Sequence, residues 1–169
     1  LSKGEATIVI SGVIIFIGTF LPWFTAEFTP AVGTQALADN PFAAAPQTYN
    51  AWNAGALWGF AGIVALVAVG LVILPRVVGL TIPPERSGMA AIIASTVSAV
   101  LVLLKLLIGA NANLNGYPSA IRAVLERFID VSRQWGLIVS SLAAVAMLLG
   151  AFARYREMQG SIDPKRPSA

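Results

Sequence analysis

Few residues in this chain are equipped for chemistry. It contains no Cys and no His. That removes disulfides, thiolate nucleophiles, the usual zinc sites and His-ligated haem. The commonest general base is gone as well. One charged residue stands well inside an apolar run, Lys105 in "LVLLKLLIG". An ionisable group at such a place is a functional candidate, here for contact with a lipid phosphate, a substrate or an ion. The alternative is structural. The run ends near Asn111, so the ammonium need reach only ~8–9 Å to the interface, and a Lys stem can snorkel that far. Glu27 or Asp130 on an outer segment would then be its partner. No Asp or Glu falls within any apolar run to form a relay with it. Ser95, Ser98, Ser140 and Ser141 place hydroxyls in the apolar runs. Ser98 and Lys105 are two helical turns apart, ~10 Å along the axis, too far for direct proton transfer. There is no phosphate-binding glycine loop and no carboxylate cluster for a metal. These residues point to a protein that is not an enzyme and needs no cofactor.

The elements that carry these residues follow from composition. Of 169 residues, 57% are hydrophobic and only 11% charged, against ~25% charged in a soluble domain. The net charge of +3 is spread along the chain, which leaves no footprint for nucleic acid. A hydrocarbon core of ~30 Å needs ~20 apolar residues in a helix. Four runs qualify, at about 6–24, 55–78, 89–110 and 135–155. They are too long and too evenly apolar for barrel strands, which alternate. Lys3 before the first run raises a signal peptide as an alternative, but "FLPWF" at 20–24 is a poor cleavage context. The expected fold class is therefore all-α: an integral membrane four-helix bundle in one domain, 1–157, with a polar cytoplasmic tail, 158–169.

Orientation follows from Lys and Arg. Lys3, Arg76, Arg86, Arg154, Arg156, Lys165 and Arg166 share one side, against Arg122, Arg127 and Arg133 on the other. The segment 25–54 has no basic residue. The expectation is N-in, C-in, in a bacterial inner membrane.

Two outer segments remain. The first, 25–54, is long for a connection and rich in Pro and aromatics. It either folds back over the bundle or packs on a neighbouring subunit. Trp23, Phe24, Trp52 and Trp135 stand at run boundaries, where aromatic rings anchor to the headgroup level. The second, Ser119 to Gly136, has Ile121, Val124, Leu125 and Phe128 at helical spacing with charges on the rest of the cylinder. It predicts an amphipathic outer helix before span four, either interfacial or a docking face built on Ile121, Leu125 and Phe128. Within the second run, Gly55, Gly59 and Gly62 form a small-residue stripe that permits close helix approach. That stripe serves packing inside the bundle or a partner helix.

"FLPWF" closing the first run, "YNAWNAGALWGF" opening the second and "RQWGLIVSSLAAVAMLLGAF" forming the fourth resemble the uncharacterised small four-span membrane proteins of high-GC Gram-positive bacteria. The resemblance covers most of 6–156, implies the four-span fold, and supplies no catalytic residues. Trp52 with "GALW" is similar to the signature of claudin-like four-span proteins in architecture only, since the Cys pair is missing. The expected function is a non-catalytic accessory subunit of a larger bacterial inner-membrane complex. The preferred setting is a cell-envelope lipid importer, and the next a respiratory supercomplex. The alternative is a stand-alone small transporter or lipid-binding protein that uses Lys105. Expected partners are that complex and membrane lipids, not nucleic acid.

Overall fold

The computed structural model describes residues 1–28, 47–79, 84–109 and 129–162. Four helices are present among them: α1 (Lys3–Gly18), α2 (Ala56–Val77), α3 (Pro84–Ile108) and α4 (Trp135–Ile162). Three strands join them: β1 (Phe24–Phe28), β2 (Gln47–Tyr49) and β3 (Ile129–Arg133). The helices pack in a ring, α1 against α2, α2 against α3, α3 against α4 and α4 back against α1, the last contact being the most extensive. Helices α2, α3 and α4 are long and apolar enough to cross a membrane. Their outward faces carry exposed Leu, Ile, Val and Phe, while the ring interior is filled by Ala, Ser, Gly and a few larger apolar residues. Small residues inside and large ones outside is the pattern expected where lipid is the solvent and helices gain by close approach.

Helix α1 begins on a capping box: the Ser2 hydroxyl accepts from the Glu5 N–H, and the Glu5 carboxylate accepts from the Ser2 N–H. It ends at Gly18, earlier than the apolar run 6–24 suggests. The Thr19 hydroxyl donates to the Phe16 carbonyl at 2.7 Å, and the main chain then leaves the helix through Pro22 into β1. At 16 residues, α1 is ~24 Å long and shorter than the ~30 Å core of a bilayer.

The chain is mostly helical, as expected, but the strands add a small sheet that the all-α expectation did not include. They form one antiparallel sheet in the order β2-β1-β3. Phe24 pairs with Tyr49 on one side and with Arg133 on the other. The amphipathic helix expected within 119–136 is replaced at 129–133 by β3. Its "IDVSR" alternates side chains with period two, and it pairs with β1 along its length, which satisfies the backbone groups on that side. Ile121, Leu125 and Phe128 lie outside the described residues.

Because β1 follows α1, and β2 and β3 precede α2 and α4, the sheet caps one end of the bundle. The C-terminal part of α3 reaches the same end, where Lys105 meets Phe24 of β1. Both chain ends of the described structure, the end of α2 and the start of α3 gather at the opposite, tail end.

Candidate functional site

At the sheet end, Trp23 is the hub. It is fully buried. Its indole N–H donates to the Gly18 carbonyl at 2.7 Å. Its backbone N–H donates to Tyr49 and its carbonyl accepts from Gln134, both at 2.8 Å. One residue thus ties the end of α1 to β2 and to the entry of α4. Pro22 adds its carbonyl, which accepts from the Gly136 N–H at 3.0 Å. That close approach needs Gly136, since a Cβ there would collide with the Pro22 oxygen and Leu21. The expected anchoring role of Trp23 and Phe24 is corrected here: Trp23 and the side chain of Phe24 in β1 are both buried inside the protein, with the polar edge of Trp23 spent on the Gly18 carbonyl. Trp135 is half-exposed at the start of α4. Trp52 is half-buried; its indole donates to the Thr19 hydroxyl at 3.2 Å and its ring lies 5.8 Å from that of Phe20.

Trp52 also decides the fate of the glycine stripe. A Cβ on Gly59 would run into the Trp52 ring, and one on Gly62 into the Thr19 side chain at 2.7 Å. Both glycines are buried and filled by their own chain. Of the two uses open to the stripe, Gly59 and Gly62 serve internal packing, and neither is free for a partner helix. Gly55 is the N-cap of α2 with φ of 132°, a conformation that suits glycine.

Lys105 lies on the inner face of α3, 6% exposed. Its Nζ sits 5.1 Å from the centre of the Phe24 ring and 4.9 Å from that of Trp58. The ammonium thus lies between the two rings, beside β1 at the sheet end. Glu27 and Asp130 face each other across β1 and β3, both exposed. Neither makes an ion pair with Lys105, and among the described residues no carboxylate does. Two cation–π contacts contribute ~0.5–2 kcal/mol each, whereas enclosing an ion costs several kcal/mol. The aromatic cradle therefore positions the ammonium without fully compensating it.

The serines of α3 and α4 are occupied differently. Ser140 and Ser141 donate to Gly136 and Leu137, each at 2.8 Å within α4. Ser98 donates across to the Ala61 carbonyl of α2 at 2.8 Å. Ser95 Oγ is buried without a partner. Ser98, Ser140 and Ser141 thus each spend their proton on a main-chain carbonyl.

The tail end holds a site that sequence reasoning passed over. Glu5 is 4% exposed. Arg76 Nη2 of α2 donates to its Oε2 at 2.6 Å, and Arg154 Nη2 of α4 lies 3.1 Å from its Oε1. The Ser2 N–H adds a third bond at 2.9 Å. Burial works to raise the Glu5 pKa, but the Arg76 hydrogen bond, the Ser2 N–H and the charges of Arg154 and Arg76 outweigh it and hold the carboxyl below its ordinary range. Arg76 Nη1 also donates to the Val72 carbonyl, near the end of its helix. One carboxylate so clamps three helices. The available signal was "SKGE", a capping-box spacing that puts Glu5 in the first turn of α1, one residue ahead of the apolar run. The arginines read only as topology signals.

Among the described residues no group of three or more acidic side chains could hold a metal. A shallow groove of about 410 Å³ runs between α1 and α4, lined by Ile10, Ile14, Leu142 and smaller residues, and its walls are almost wholly apolar. No known protein-family model matches this chain, and no curated protein matches its sequence.

Proposed function

We propose that the protein is a non-catalytic accessory subunit of a larger bacterial inner-membrane assembly, with a cell-envelope lipid importer as the preferred setting and a respiratory supercomplex as the next. The observation that carries this reading is how the buried polar groups are used. Glu5, Trp23, Trp52, Ser98, Ser140 and Ser141 all bind elements of the same chain together or satisfy its backbone. A bundle that devotes most of its buried polar groups to its own rigidity is built to present surfaces. The surface on offer is the sheet end, where β2 and β3 are the edge strands among the described residues and Asp130, Ser132 and Arg133 are exposed. Edge strands are natural docking elements for another chain.

In this reading all four helices cross the membrane, α1 with its short apolar length extended by the turn from Thr19 to Trp23, both of which are buried. The N-terminus and tail face the cytoplasm and the sheet faces outward. Supporting this, Lys3, Arg76, Arg86, Arg154 and Arg156 collect at the tail end, as cytoplasmic basic residues do. The test is affinity purification of the tagged full chain from native membranes in a mild detergent, followed by mass spectrometry. A stoichiometric large membrane partner is expected. A wild-type preparation that yields only the isolated chain would sink the subunit reading.

A further inference from the structure

We propose that Lys105 and Arg133 form a binding site for the phosphate of a membrane phospholipid at the sheet end of α3. This inference is independent of the subunit reading.

Lys105 is 94% buried by its 6% exposure, held between Phe24 and Trp58, and paired with no carboxylate among the described residues. Aromatic faces attract a cation but accept little from its N–H donors, so an ammonium fixed on two rings still needs an oxygen acceptor. Arg133 of β3 brings a second cation to the same helix end. Its Nη2 lies 3.8 Å from where a Cβ on Gly109 would be, and Gly109 closes α3 by donating to the Lys105 carbonyl at 3.0 Å. The carbonyls at this helix end offset part of the positive charge, but they do not supply a counter-ion. Two cations from two elements, one of them in a fixed position, suit a phosphate anion.

The ligand's source follows from what surrounds the site. Leu104, Leu107 and Ile108 of the same turns are 41%, 79% and 61% exposed. In a membrane these residues contact lipid. Lys105 is three residues from the end of α3, ~4.5 Å along the axis, close to the depth at which phosphodiesters lie. A phospholipid reaches such a site sideways from the bilayer and needs no aqueous channel.

The test uses the full chain in a nonionic detergent, with native mass spectrometry as the readout. Dioleoylphosphatidylglycerol is compared with dioleoylglycerol, which has the same chains and no phosphate. We expect one phosphatidylglycerol per chain retained over the diacylglycerol by about tenfold or more, a preference lost in Lys105→Met and largely kept in Lys105→Arg. Equal retention of the two lipids by the wild type overturns the proposal, and this comparison stands even if Lys105→Met fails to fold. A wild-type preference that Lys105→Met leaves unchanged overturns it too. Displacement of the lipid by millimolar inorganic phosphate would keep the phosphate chemistry but overturn the assignment to a lipid.

Discussion

Removing the charge of Glu5 should be felt by three helices at once. Glu5→Gln leaves Arg76 and Arg154 facing each other without their shared counter-ion. Because Arg76 is half-exposed and Arg154 is one-fifth exposed, water screens part of the effect, and the expected loss is ~1–2 kcal/mol. It would appear as a lower melting temperature in detergent with insertion unchanged. The same carboxyl sets a pH dependence. Its folded pKa is depressed, so its contribution is fully present above the ordinary carboxyl range. It is lost as pH falls through the folded value. Wild type should therefore lose stability on acidification more steeply than Glu5→Gln, and equal slopes would show that Glu5 is not the linked group. At this scale the sequence was partly legible. Lys105 stood out because a charge in an apolar run is costly in any fold. Glu5 did not, because its cost is only visible once Arg76 and Arg154, far along the chain, are seen to close over it.

Helix α1 meets α4 backbone to backbone. A Cβ on Gly4 would lie 2.7 Å from the Arg154 nitrogen and 2.9 Å from the Gly150 oxygen, and one on Gly150 would lie 2.9 Å from Thr7 Cβ. Neither wall is a flexible side-chain end, so Gly4→Ala and Gly150→Ala should each cost ~1–3 kcal/mol. Gly160→Ala, on the same α4 with open space around it, should instead gain up to ~1 kcal/mol from helix propensity. Opposite signs in thermal melts would check the pair; a uniform gain would refute the close approach. The long helices were readable because twenty consecutive apolar residues admit few alternatives. Their ends were less so. Helix α3 starts at Pro84 rather than near residue 89, since Pro is well placed in a first turn and "PERS" can be helical despite its polarity. The strands were missed for a different reason. "FTAEF" and "IDVSR" do alternate, but each is only five residues long, and the helical spacing of Ile121, Leu125 and Phe128 drew the reading of the second stretch. A short strand is decided by its partner, and β1's partner β3 is far away in sequence.

For the whole molecule, orientation is the property that organises everything else. The chain has no Cys, so single substitutions give a clean labelling background. A membrane-impermeant thiol reagent added from outside should label Asn40→Cys and Leu125→Cys in intact cells, and Glu85→Cys and Lys165→Cys only after permeabilisation. Labelling of position 40 from the cytoplasmic side would invert the bundle. The pairing of Phe24–Phe28 with Ile129–Arg133 has a consequence for biosynthesis. The ribosome releases β1 early, yet its second neighbour, β3, is made only after all of α3. Until then the hub at Trp23 lacks its acceptor contact from Gln134, and α1 lacks α4, its main neighbour. Helix α1 therefore emerges before the neighbour with which it makes its most extensive contact, and the α1–α4 and β1–β3 pairings, which join the two ends of the chain, are the last to become available.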